Sequence, residues 1–122
     1  MKDELKDPLI YIDDINKGVK RIKSFIKNIT KDQFASEGLE YNATLRQLEI
    51  IGEAAKNLPE WYKKEHPEIP WHKMIAVRNI LIHEYSNVND DLIWNIVISD
   101  LPALTDDLKK LEEGLYARPG TE

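Results

Sequence analysis

The chain contains no cysteine. That absence excludes disulfides, thiolate metal centres and cysteine nucleophiles. No apolar run approaches the roughly 20 residues that a membrane span needs. The start, Met1 to Pro8, is charged and lacks the apolar stretch of a signal peptide. A cytoplasmic protein without a membrane partner is the expectation. Basic surplus is missing too: the net charge is −5 and the sequence pI is near 5.2. Stand-alone nucleic-acid binders usually carry a basic surface, because phosphate contacts and counterion release drive their affinity. Any action on RNA must therefore come from a local cationic site, from two copies of one in a dimer, or from a partner. Glycine-rich phosphate loops, Walker patterns and Ser-His-Asp order are absent, as are repeats, low-complexity segments, strand alternation and Asn-Gly hairpins.

What is present is helical spacing. At 122 residues the chain suits one domain, 1–122, with a core over about 5–113 and a frayed tail over 116–122. The first helix should start with Asp7 as N-cap and Pro8 at the first helical position. Its buried stripe is Ile12, Ile15, Val19, Ile22, Ile26 and Ile29. Thr30 and Gln33 have capping-box spacing, which predicts a short helix to about Ser36. Another helix runs from Tyr41 to Asn57, buried along Leu45, Leu48, Ile51, Ala55 and Leu58, with Gly52 permitting close helix approach. Pro59 to Pro70 reads as an aromatic-pinned connection holding at most one helical turn. The next helix starts near Trp71, Ser86 to Asp91 forms a polar turn, and the last helix runs from Asp91 to Gly114. Pro102 lies inside that last stripe and should kink or break it. The fold class is all-α, a bundle of four main helices with short additions.

The most informative segment is Arg78-Asn79-Ile80-Leu81-Ile82-His83-Glu84-Tyr85. It puts a permanent cation, an amide, an imidazole and a phenol within about two helical turns. A guanidinium fork matches phosphate oxygens and stays charged, and a histidine titrates near neutrality. Together they form a minimal kit for cutting RNA without a metal. Asn79 and His83 are four residues apart and share a helix face, and Arg78 can reach the same patch. Met74, Val77 and Leu81 lie opposite, toward the bundle. Ile75 and Ile82 flank the polar trio, so the helix is apolar on more than one side and a second chain should cover it. Spacing alone leaves a bland reading open: Arg78 in a salt bridge, His83 as an ordinary helix-end histidine, Tyr85 as packing.

Other candidates carry less. His66 and His72 lack a carboxylate at helical spacing and read as packing groups more than metal ligands. Glu49 and Glu53 are four apart, but a solvated or interface face suits them better than paired-carboxylate catalysis. Glu53 and Arg46 could support the cleft from the neighbouring helix. Trp61, Trp71 and Trp94 could stack bases, although packing is the more frequent use of such residues.

The pattern Arg78-x-x-x-x-His83-x-Tyr85 resembles the signature of the HepT toxins, a branch of the HEPN ribonuclease superfamily. Leu45 to Ala55, His66 to Trp71 and Leu101-Pro102 also resemble HepT segments in the same order, over residues 5 to 113. The resemblance implies a helical homodimer acting as a metal-independent RNase, with Arg78 and His83 of both subunits at a shared cleft and Asn79 beside the arginine. It implies a type VII-like toxin–antitoxin pair. The antitoxin would be an MntA-type nucleotidyltransferase that uses ATP and magnesium to attach AMP to Tyr85, the toxin itself needing no cofactor. The substrate class, tRNA or mRNA, is not legible. The competing function is a non-catalytic subunit that docks and regulates the nucleotidyltransferase. A plain helical dimerisation module comes third.

Overall fold

Asp7 starts the first helix by accepting a hydrogen bond from the Leu9 amide at 3.0 Å, with Pro8 at the first position, where its missing N–H costs nothing. The computed structural model describes residues 6–34, 38–84, 86 and 88–116. In it α1 spans Pro8–Ile26, α2 Leu39–Asn57, α3 Glu60–Glu65, α4 Trp71–His83, α5 Asp90–Asn95 and α6 Leu101–Tyr116. A π-helical turn, Ile96–Asp100, joins α5 to α6. The architecture is all-α, as the periodicity predicts: four main helical runs and the short α3, with no strand among the described residues. None of these helices is long and apolar enough to cross a membrane.

The stripes meet where the spacing puts them. Ile12, Ile15, Val19 and Ile22 of α1 face Leu45, Leu48, Ile51 and Ala55 of α2, and all eight are buried. Leu101, Leu104, Leu108 and Leu111 of α6 close the core over α1. Side chains of this kind contribute about 1.5–3 kcal/mol each when fully removed from water. Thr44 is the one buried polar residue of the core among the described residues, and its Oγ1 meets no hydrogen-bond partner among them.

Three local expectations need correction. The Thr30–Gln33 capping box forms, with reciprocal bonds of 2.8 and 3.3 Å, but a turn over 31–34 follows it, not a helix. Phe34 is drawn into the core against Tyr41 and Trp94, at ring separations of 5.3 and 5.2 Å, and that tertiary contact outweighs helical continuation. The predicted end of this helix, Ser36, lies outside the described residues. Second, the Pro59–Pro70 connection holds a six-residue helix, α3, longer than the single turn expected. Lys63 explains it: its ammonium, nearly buried, donates to the Ala55 and Lys56 carbonyls at 3.1 and 3.3 Å and pairs with Glu60 at 2.9 Å. One side chain thus satisfies the open end of α2 and ties α3 to it.

Third, Pro102 interrupts the last helix as expected, but through a π-helical turn placed before it and not through a sharp break. The run widens just before it, with the Leu101 amide bonding to the Ile96 carbonyl. A proline ring clashes with the carbonyl four residues earlier, and a wider turn relieves that clash while the buried stripe continues. At the other end of this run Asn89 caps α5 through Leu92 at 2.8 Å. Lys31 bridges to Asp91 at 2.8 Å, and this hydrogen bond and charge raise the lysine above its ordinary pKa.

Candidate active site

The site is built where α4 crosses α2. Gly52 has no side chain because none would fit: a Cβ there would overlap Arg78 Cβ and lie 2.7 Å from the Met74 carbonyl oxygen. The two backbones therefore approach closely at the residue that carries the guanidinium. Met74 and Leu81 bury their side chains toward the bundle, as the spacing predicts, with Val77 half-buried between them.

Arg78 is held from two directions. Its Nε donates to Glu53 Oε2 at 2.8 Å, and Nη1 donates to Asn79 Oδ1 at 2.8 Å. The arginine side chain is only 15% exposed, whereas Glu53 is half exposed. A guanidinium has five N–H donors. Two are used in these bonds, which leaves three for a ligand. Fixing a planar fork in advance lowers the entropy lost when it grips a phosphate.

His83 is the last residue of α4 and is exposed, and its imidazole bonds to no other described residue. Glu84 follows as C-cap, its amide bonded to the Ile80 carbonyl at 2.8 Å. Asn79 and His83 share an exposed face, as four-residue spacing requires. Arg78 and His83, five apart, are separated by about 7.5 Å along the axis and about 140° around it. Glu53 holds the guanidinium toward α2, while His83 is exposed at the end of α4. Tyr85 lies outside the described residues.

Beside Arg78 a groove of about 300 Å³ runs between α1, α2 and α4, lined by Tyr11, Asp14, Arg46, Glu49, Glu53 and Ile82 among others. Arg46 lines it but does not reach Arg78; it pairs with Glu49 on its own helix at 3.1 Å. The two glutamates expected to be solvated each serve an arginine, Glu49 for Arg46 and Glu53 for Arg78. Three carboxylates against one guanidinium make this groove repel a phosphodiester. Tyr11 and Asp14 were not distinguishable in the sequence from any other exposed pair three residues apart on a helix.

Among the described residues no three His, Asp or Glu side chains gather as a metal site. His66 packs on Tyr62, with ring centroids 4.5 Å apart, and reaches Glu68 at 3.3 Å, while His72 is exposed on α4. Trp71 is buried and donates through its indole nitrogen to the His66 carbonyl at 2.9 Å.

Comparison with known proteins finds relatives along most of the chain. A family model described as ribonuclease HepT-like matches residues 15–111. A presumptive RNase of Methanocaldococcus jannaschii is 40% identical over 108 residues, 88% of this chain and 87% of that protein. A protein of Thermococcus cleftensis bearing the name ribonuclease HepT, also by presumption, is 39% identical over 113 residues, 93% of this chain and all of that protein. A third, from Caldanaerobacter subterraneus subsp. tengcongensis and again a presumptive RNase, is 34% identical over 107 residues, 88% and 96% of the two chains. No solved structure matches significantly.

Proposed function

Because this chain belongs to the HepT-like ribonuclease family, we propose that it is a metal-independent endoribonuclease whose site is completed by a second copy of itself. The observation that carries the reading is Arg78. Its guanidinium is fixed in advance by Glu53 and Asn79 and keeps three donors, and the exposed His83 lies five residues on along the same helix. A homodimer supports it further. Within one subunit Arg78 and His83 diverge around α4, so a two-fold axis through this patch is the simplest way to bring guanidinium and imidazole to one phosphate.

In this mechanism one His83 takes the proton of a ribose 2′-hydroxyl. The 2′-oxygen attacks phosphorus and the bond to the 5′-oxygen breaks. The His83 of the second subunit returns a proton to that leaving oxygen. Arg78 stabilises the charge that develops on the phosphorane, a contribution of about 2.7–4 kcal/mol for a well-placed donor. Asn79 orients Arg78 through its side-chain oxygen. The products are a 2′,3′-cyclic phosphate and a free 5′-hydroxyl.

The reading includes a mode of regulation. Attack of the Tyr85 hydroxyl on the α-phosphorus of ATP would form a phosphodiester and release pyrophosphate, catalysed by an MntA-type nucleotidyltransferase with magnesium. The added phosphate would compete with RNA for Arg78. The acidic net charge favours one second reading, a non-catalytic subunit that docks and regulates that transferase.

The test is cleavage of single-stranded RNA by the purified chain in excess EDTA, with end analysis of the products. The proposal expects cyclic phosphate ends, and a fall of about 10²- to 10³-fold in kcat for both Arg78→Ala and His83→Ala. Cleavage at the parent rate by His83→Ala would end the assignment. Growth arrest on expression without the transferase separates toxin from docking subunit. A mass gain in multiples of AMP, lost in Tyr85→Phe, tests the modification.

A further inference from the structure

The three tryptophans have different fates in the fold. Trp71 is buried with its indole N–H satisfied, and Trp94 packs on Phe34. Trp61 is 38% exposed and lines a cavity of about 270 Å³ between α3 and α6. Tyr62, Glu65 and His66 complete one wall, and Lys110 and Gly114 form part of the other. At Gly114 an added Cβ would touch nothing within 4 Å among the described residues.

The aromatic wall is rigid. Trp61 meets Tyr62 edge to face at 5.8 Å, and Tyr62 is backed by His66 at 4.5 Å and Trp71 at 6.3 Å. α3 itself is tied to α2 through Lys63. An indole braced in this way loses little entropy when a flat ring stacks on it. Lys110 on the facing helix makes no salt bridge to a described carboxylate, and Glu65 can accept from an amine or a ribose hydroxyl. The volume lies just below the range of ligand pockets, about 300–1,000 Å³. It suits a base and its phosphate, not a folded segment.

We propose that this cavity is a second RNA contact, in which an unpaired base stacks on Trp61 and its phosphate rests on Lys110. The inference rests on the reading of the chain as a ribonuclease and deepens it: the substrate must present a splayed single-stranded base away from the cleavage site. Trp71, which backs this wall, stands about 18 Å along α4 from His83. Stacking is tolerant of base identity, so the subsite fixes strand state, not sequence.

The test uses the full chain carrying His83→Ala, so that binding is measured without cleavage. A fluorescein-labelled single-stranded 12-mer RNA is titrated by anisotropy, and an RNA duplex of the same sequence serves as comparison. Trp61→Leu should weaken single-strand binding by roughly 5- to 150-fold and leave duplex binding unchanged. Trp61→Phe should restore most of the affinity. Lys110→Ala should lower the dependence of log Kd on log salt by about one counterion. Circular dichroism checks that each variant folds. Unchanged single-strand affinity in both Trp61→Leu and Lys110→Ala overturns the subsite, as does a parent that binds no single-stranded RNA. Loss of binding only to a protein partner overturns it too. Cleavage by the His83-intact chain is scored separately: a parent that binds through Trp61 but never cuts RNA sinks the nuclease reading and leaves the subsite standing.

Discussion

Replacing Gly52 by alanine tests the close approach of α2 and α4 on which the site depends. The new methyl would overlap Arg78 Cβ and lie 2.7 Å from the Met74 carbonyl oxygen and 3.0 Å from Arg78 Cγ. A Cβ and a carbonyl cannot swing aside by changing rotamer, so α4 itself must move. Overpacking of this kind costs about 1–3 kcal/mol, while alanine in place of a helical glycine returns roughly 0.5–1 kcal/mol. The expected net is a loss of about 0–2.5 kcal/mol, measured by urea unfolding. Cleavage should suffer more than stability. A displacement near 1 Å carries the guanidinium off its bond to Glu53, and misplacement of that size costs on the order of 10²-fold in rate. A Gly52→Ala protein that is more stable than the parent by about 1 kcal/mol and cuts RNA at the parent rate would refute the close-contact argument.

Glu53→Gln should cut the cleavage rate roughly 10- to 100-fold by loosening Arg78, while the melting temperature barely moves, because partly exposed ion pairs contribute about 0–1 kcal/mol. An unchanged rate would show that the guanidinium needs no help from α2. Thr44→Val removes a buried hydroxyl that has no partner among the described residues and should stabilise the protein by about 1 kcal/mol in urea titrations. Leu108→Ala, at a fully buried position, should cost about 2–5 kcal/mol. The Lys31–Asp91 bridge has a pH signature. Lys31 is raised above 10.5 in the folded state, so the lysine's contribution is complete below that value and fades only as pH rises through the higher folded value. The destabilisation caused by Lys31→Met should therefore be equal at pH 7 and pH 9 and shrink in stronger alkali.

Most of the fold was legible because the apolar spacing is regular. Each expected stripe residue from Ile12 to Ile22, and from Leu45 to Leu58, is buried. The departures come from tertiary contacts that a one-dimensional pattern does not carry. Phe34 leaves a correctly capped turn for an aromatic cluster, and Lys63 builds α3 by reaching back to carbonyls seven and eight residues earlier. The motif residues Arg78, Asn79 and His83 were legible as a set, and Glu53 as their support, because helical spacing fixes faces. Arg46, expected as a possible support of the cleft, pairs with Glu49 on its own helix and lines the same groove as Glu53. The cavity at Trp61 was not legible: its walls come from α3 and α6, about 50 residues apart in the chain.

The widened turn at Ile96–Asp100 divides the longest helical run into two separately opening pieces. Pro102 has no amide proton to return to a carbonyl of the preceding turn, and Ile98 in that turn is itself half exposed. Deuterium should enter the amides from Ile96 to Leu101 well before those on either side. The C-terminal piece could then lift from α1 while α2 and α4 stay clasped, and a fluctuation that exposes Leu104 and Leu108 would leave the guanidinium where it was.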